Sequence, residues 1–227
     1  GSGCDRWKIA DVIAHLISDG MDYTLSIARA MKGDVSPPVG HLDVVAQDKV
    51  DWVISLRVGY DEDLFPEFNV NCKRLNDLLV SLTPCDYLKP VWHSLAIVPV
   101  HQLIQHRVAE LALHGWDIRY GLNHSAKLSK NTLPFLIGWL GDWFELCFQK
   151  SDRLETPIRY RFHIDDQPND TYDVVVFGDE FCLAPAGKMV ADVTFRCDTD
   201  SCILFCTGRL PFARSVRRGR ISYEGNE

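Results

Sequence analysis

The sequence predicts an α+β chain of two domains, an all-helical N-terminal part followed by a smaller mixed C-terminal part. Three observations carry this expectation. Apolar residues recur at helical spacing as far as Gln149, short runs of β-branched and aromatic residues take over after Asp152, and a length of 227 residues suits two domains of ordinary size.

The first helix is read over Trp7 to Lys32, where Ile9, Val12, Ile13, Leu16, Ile17, Met21, Leu25 and Ala28 keep helical spacing until Gly33 and Pro37-Pro38 stop it. Leu42 to Val58 and Phe65 to Leu82 read as two further helices, separated by the acidic turn Asp61-Glu62-Asp63. Pro99 suits the first turn of a fourth helix that runs through Leu103, Val108 and Ile118 to Gly121, proline at the start and glycine at the stop. A fifth, aromatic-rich helix is expected over Asn131 to Gln149. Strands follow at Ile158 to Ile164 and Tyr172 to Phe177. Gly178-Asp179 and Ala186-Gly187 then read as turns that join Glu180 to Leu183 and Val190 to Arg196 into a meander. Asp198 to Thr207 and Pro211 to Arg217 look helical, and Arg220 to Tyr223 reads as a closing strand. The domains are therefore expected at 1–152 and 153–227.

Composition narrows the function classes. With 46% apolar and 24% charged residues the chain can bury a core, which excludes disordered and collagen-like classes. A net charge of −7 argues against a nucleic-acid partner. Yet Arg209, Arg214, Arg217, Arg218 and Arg220 crowd one short segment, a local positive field suited to a small anion. Eight cysteines without a Cys-x-x-Cys pair are too few for a disulfide scaffold and read as reduced thiols of a cytoplasmic protein. Cys202 and Cys206, set among Ile203, Leu204 and Phe205, read as buried packing. No apolar run reaches the roughly 18 residues of a membrane span, since Asp142 and Glu145 interrupt Leu133 to Phe148. No signal-peptide pattern opens the chain, and Gly1-Ser2-Gly3 is the kind of start that a cut or a tag leaves.

The segment Arg107-Val-Ala-Glu110-Leu-Ala-Leu-His114-Gly-Trp-Asp117 spaces four polar residues three or four apart, so one face of the fourth helix presents them all. A carboxylate and an imidazole at i and i+4 can clasp one divalent metal; the same spacing also occurs on solvated helix surfaces. Ala109, Leu111, Ala112 and Leu113 make the segment apolar, so part of the polar stripe should be buried and need partners. His15, flanked by Val12, Ile13 and Leu16, offers a third ligand from the first helix. Two histidines and a glutamate leave room for an exogenous ligand, as catalytic zinc sites do. His41, His93, His101, His106, His124 and His163 lack such companions and read as surface or packing residues.

These residues resemble a known family. Cys4-Asp-Arg-Trp7 through His15-Leu16, followed by Arg107-x-x-Glu110-x-x-x-His114-x-x-Asp117, is similar to the mycothiol-dependent maleylpyruvate isomerase family of the DinB-like four-helix-bundle superfamily. Thr207-Gly-Arg209-Leu-Pro through Gly219-Arg-Ile-Ser-Tyr-Glu-Gly225 resembles that family's sterol-carrier-like second domain. The resemblance implies a zinc ion, or another divalent metal, on His15, Glu110 and His114, with mycothiol or a similar low-molecular-weight thiol as cosubstrate. It also implies that Arg209 points at the active site, where a guanidinium can grip a carboxylate and stabilise enolate charge. Arg107 is the second choice for anion contact, or else a neighbour that supports Glu110. Family members carry a further helix before the Cys-x-x-Trp segment, so the resemblance implies that this sequence lacks it or that another surface covers the exposed face.

The expected activity is isomerisation of a maleylpyruvate-like diacid by reversible thiol addition, or thiol S-transfer to an electrophile. The partners would then be a small thiol and a small carboxylate or other electrophile, with no nucleic acid and no membrane; a homodimer stays open. The alternative is a non-catalytic carrier of an apolar or lipid ligand, which has no need of a metal triad across two helices.

Overall fold

The computed structural model describes residues 2–4, 7–38, 46–167 and 171–225, leaving aside the side chains of 46–49. His41 and the expected start of the second helix at Leu42 lie outside them, as do Asp5 and Arg6 of the N-terminal motif. The chain forms two compact units, Gly1–Lys127 and Leu128–Glu227.

Four helices build the first unit: α1 (Ile9–Ala30), α2 (Ala46–Tyr60), α3 (Leu64–Val80) and α4 (Val100–Leu122). The acidic turn Asp61–Asp63 is a single turn of 3-10 helix joining α2 to α3. Asp11 starts α1, accepting from the Lys8 backbone N–H at 2.8 Å and pairing with Arg57 of α2, also at 2.8 Å. α1 is the hub, packing against α2, α3 and α4. One core gathers Tyr23, Ile27, Leu75, Val91, Val100 and Leu103; a second gathers Ala14, Ile17, Val53 and Leu64 under Trp7. Sequence periodicity missed a short hairpin, β1 (Pro90–Trp92) with β2 (Ile97–Pro99), which packs on α1 and delivers the chain to α4. Three-residue strands are too short to show an alternation. Gly20, in the middle of α1, marks a close approach: a Cβ there would lie 2.1 Å from Asn71 Oδ1 and 3.1 Å from Arg107 Nη2.

The second unit holds α5 (Leu133–Cys147), β3 (Ile158–Ile164), β4 (Thr171–Val176), β5 (Phe181–Pro185), β6 (Val193–Cys197), α6 (Thr199–Cys206), α7 (Phe212–Arg217) and β7 (Ile221–Gly225). The division therefore falls earlier than between residues 152 and 153. α5 packs on α6, and the Trp143 indole donates to the Cys206 carbonyl at 3.2 Å, so this aromatic helix belongs to the C-terminal core.

The sheet order is β5-β4-β3-β6-β7. β3, β4 and β5 form an antiparallel meander, but β6 does not continue it as the sequence reading expects. It crosses back to pair parallel with β3, Tyr160 opposite Val193, while β7 closes the other edge antiparallel to β6. The crossing is tied down by Arg161, whose guanidinium donates to the Gly187 and Met189 carbonyls at 3.1 and 2.9 Å. Asp198 caps α6, accepting from the Ser201 backbone N–H at 2.7 Å.

Inside this sheet Asp173, fully buried on β4, accepts from both Arg159 and Arg161 at 2.8–2.9 Å. The Arg161 hydrogen bonds hold its carboxyl below the ordinary range against the opposing effect of burial, and Arg159 adds to them. Such a group stabilises the fold above its unfolded pKa and loses that contribution as pH falls through its native one. Asp173→Ala should cost about 3 kcal/mol at pH 7 by leaving two guanidiniums facing each other. In urea unfolding followed by circular dichroism, the gap to wild type should close as the pH drops below about 4; a gap independent of pH would show that the carboxylate charge is not what holds the sheet.

Candidate metal centre

α4 begins cleanly because Pro99, in extended backbone, precedes its first turn. From there Arg107, Glu110, His114 and Asp117 fall on the face turned inward. Arg107 is 4% exposed, His114 7% and Asp117 0%, with Glu110 partly buried, so the polar stripe is buried as the apolar neighbours predict. On α1, the buried Val12 and Leu16 bracket a turn that also buries His15.

His15 Nε2 and His114 Nε2 each lie 3.1 Å from Glu110 Oε2, and the two imidazoles meet edge-on with centroids 4.8 Å apart. One donor atom from each of the three residues falls within 4.8 Å of the others. Donors bonded to one tetrahedral zinc at about 2.0–2.1 Å stand about 3.3 Å apart, so the set fits zinc in both chemistry and spacing. The ring of His114 is oriented for this role. Its Nδ1 is bonded to Asp117 Oδ2 at 2.8 Å, which puts an N–H on that side and turns Nε2 toward Glu110, where loss of the Nε2 proton would free a lone pair for a metal.

The charges explain how the cluster tolerates burial. Burial alone would neutralise Glu110, but hydrogen bonds from His114 and His15 outweigh it and keep the carboxyl well below the usual carboxylate range. Burial likewise opposes charge on His114, yet bonds to Asp117, Cys4 and Glu110 raise its pKa well above the ordinary histidine value. An imidazolium thus sits between two carboxylates, and a divalent cation would take the place of that proton.

Four neighbours were not singled out as site residues by the sequence reading. Asp19 Oδ2 lies 3.2 Å from His15 Nε2, a second carboxylate at the cluster. Its signal was available, since His15-x-x-x-Asp19 repeats on α1 the spacing of Glu110-x-x-x-His114 on α4. Trp7 covers the histidines, its ring centroid 4.9 Å from that of His15 and 6.3 Å from that of His114, which gives the Trp-to-His spacing of the motif its meaning. His106 Nε2 stands 3.7 Å from Glu110 Oε1, one turn before it on α4, and packs on His93, centroids 4.8 Å apart. Cys4 lies on the far edge of His114, Sγ 3.2 Å from Asp117 Oδ2 and 4.0 Å from His114 Nδ1.

The two arginines of the sequence reading have different surroundings. Arg107 makes no hydrogen bond to Glu110; its guanidinium stands over the Tyr23 ring at 5.9 Å. Arg209 lies in the second unit, between α6 and α7, and donates to the Thr207 carbonyl at 3.3 Å. Of its neighbours, Arg214, Arg217 and Arg218 are exposed, whereas Arg220 pairs with Asp200 at 2.8 Å and reaches Ser201 Oγ at 3.2 Å.

Fold and site together define a two-part protein whose helical half gathers a buried histidine, glutamate and histidine donor set. The model of the mycothiol maleylpyruvate isomerase N-terminal domain matches residues 1–119, and the chain belongs to that family. Among solved structures, a mycothiol-dependent maleylpyruvate isomerase is similar at TM-score 0.64 and 13% identity, covering 92% of this chain and 77% of its own. A histidine-to-alanine variant of a mycothiol-dependent maleylpyruvate isomerase is similar at TM-score 0.66 and 12% identity, covering 100% and 82%. At such identity the likeness speaks for the fold, two-part and α+β as expected. No curated protein matches the chain.

In zinc titrations against a competing chelator, His114→Ala and Glu110→Gln should lose binding. Asp117→Asn, which leaves every donor in place, should weaken it about 10- to 100-fold. Stoichiometric zinc retained by the double variant His15→Ala, His114→Ala would sink the assignment.

Proposed function

We propose that the chain is a thiol-dependent isomerase of a small unsaturated acid, with zinc on His15, Glu110 and His114 and mycothiol as cosubstrate. The observation that carries this reading is the convergence of the three donors beneath Trp7, within a family named for mycothiol-dependent maleylpyruvate isomerisation. A carrier of apolar ligands has no use for an oriented imidazole and a buried carboxylate in one spot.

Bound zinc would supply a Lewis acid that lowers the pKa of a coordinating thiol toward neutrality. The protein's own groups do the rest. Asp117 holds His114 in the tautomer that presents Nε2, Glu110 neutralises charge at the cluster, and Trp7 shields it from water. The thiolate adds to one carbon of the cis double bond and the electron pair moves to the acid's conjugated carbonyl. The new single bond rotates, and expulsion of the same thiolate returns the trans acid with the thiol unconsumed. Protonation of the adduct before expulsion would give a thioether instead, the S-transferase outcome. Arg209 is assigned to the substrate carboxylate, where its planar fork suits bidentate contact. The setting is the cytoplasm, in keeping with eight free cysteines; no described helix is long and apolar enough to cross a membrane.

The test is product analysis with the zinc-loaded protein, a maleylpyruvate-type diacid and a panel of thiols. The expected result is a trans product with mycothiol regenerated. Accumulation of the thioether would make the protein a transferase, and turnover without any small thiol would overturn the mechanism. Arg209→Ala should retain zinc and lose turnover about 10²- to 10³-fold, the scale of one oxyanion-type donor. Arg217→Ala and Arg218→Ala should change little, and unchanged kinetics at Arg209→Ala would remove that residue from the reaction.

A further inference from the structure

Arg107 takes no part in the reaction above, and its surroundings are unusual. It is 4% exposed, and neither Nη1 nor Nη2 has a hydrogen-bond acceptor among the described residues. Asn71 Oδ1, which crowds the same glycine of α1, is unpaired as well, so the two do not bond to each other. A desolvated guanidinium without an acceptor is costly, and the ring of Tyr23 beneath it offsets only part of that cost. The side chain lines a cavity of about 290 Å³ between α1, α3 and α4. Ile27, Leu75, Leu79, Leu103, Ile104 and Leu111 make its walls, and Arg107 is the one charged residue among those that line it. Val108 and Leu111, on the outer side of α4, are themselves 40% and 37% exposed, which places part of the lining at the surface.

We propose that Arg107 heads a binding site for a monocarboxylate with an apolar body, the carboxylate on the guanidinium and the hydrocarbon against α3 and α4. The sign follows from the lone cation, and the planar fork of arginine suits a carboxylate in bidentate contact. Tyr23, kept neutral by burial and by the nearby carboxylates of Asp19 and Glu110, adds no competing negative charge. The shape of the ligand follows from the walls, apolar but for Tyr23, Cys72 and Asn76: a second carboxylate would meet no second cation there, so a small diacid is disfavoured. The size is at the lower end of ordinary ligand pockets, suited to a short aliphatic or single-ring acid. This site goes beyond the proposed reaction and does not depend on it.

The experiment is calorimetric titration of the 227-residue chain, as purified, with octanoate, cinnamate and maleate. Octanoate and cinnamate should bind saturably, and maleate about tenfold or more weakly. Arg107→Met should weaken both monocarboxylates by at least about tenfold while keeping wild-type metal content, and its melting temperature should equal or exceed that of the free wild type, since a buried unpaired cation has been removed. Should Arg107→Met fail to fold, Leu111→Trp reads the same question by filling the cavity from a part-exposed wall, and it should abolish binding. No saturable binding by wild type, binding unchanged in these variants, or binding lost only in His114→Ala would each overturn the site. Thiol-dependent turnover without Arg107-dependent acid binding would sink the site and leave the reaction standing; the reverse result would do the opposite.

Discussion

The inward face of α4 is the constraint on which the first unit depends. It buries a cation, two carboxylates and an imidazole within three turns, and the carboxylates and the imidazole are tolerated there because other elements bring partners to them. α1 supplies His15 to Glu110, with Asp19 against the same ring nitrogen of His15, and the N-terminal segment brings Cys4 to Asp117. The Gly3 backbone N–H donates to the Asp117 carbonyl at 2.8 Å, and a Cβ at Gly3 would lie 2.7 Å from Asp117 Oδ1, so only glycine lets the segment come so close. Apolar packing of Tyr23, Ile27 and Leu103 brings α1 and α4 together; the polar contacts fix their register. Breaking one partner of such a set leaves an uncompensated buried charge, a penalty larger than that of losing an ordinary apolar contact.

Much of this was legible in the sequence because helix periodicity is a rigid ruler. Glu110 and His114 had to share a face, and His15 had to share one with Val12 and Leu16. What periodicity could not supply is which face of α1 meets which face of α4, and so Asp19, at an equally visible spacing, was passed over. Trp7 lies outside regular structure, where spacing has no geometric meaning until the fold is known. The fate of Arg107 was beyond reach for a similar reason: its lack of an acceptor depends on Asn71 and Tyr23, which other helices bring beside it.

In the second unit the strands were legible and their order was not. Alternation locates β3, β4, β5 and β6 but says nothing about pairing, and two turn-like dipeptides suggested a simple meander. Long-range contacts decide otherwise. Arg161 links buried Asp173 on β4 to the backbone of the crossing segment, so one side chain couples the meander to the chain that leaves it for the parallel strand β6. The arginine cluster resolves in the same manner. Composition shows five equal cations, whereas the structure commits Arg220 to Asp200, which also accepts from the Leu128 backbone N–H at 2.7 Å, and leaves Arg214, Arg217 and Arg218 at the surface. Arg209, by contrast, is half-buried and donates to the Thr207 carbonyl.

The placement of Cys4 bears on why a protein with eight cysteines would rely on a thiol from outside. An imidazole has two nitrogens on different edges of its ring, and in His114 they serve different groups: Nδ1 faces Asp117 and Cys4, Nε2 faces Glu110. The donor set assembles on the Nε2 side, so Cys4 stands behind its ligand, with its S–H directed to Asp117. To reach the substrate's position Cys4 would have to abandon Asp117 and pass the ring that Asp117 holds in place. Cys197 and Cys202 are buried in the second unit; the Cys202 thiol and burial push Cys197 upward, and on Cys202 the opposing bond to Cys197 is outweighed by the bond to Cys206 and by burial, which keeps both un-ionised and poorly nucleophilic. On the proposed reaction a nucleophile arrives on the Nε2 side of His114, and the Asp117 contact that turns Nε2 toward Glu110 would also hold Cys4 away from it, which favours a diffusible thiol.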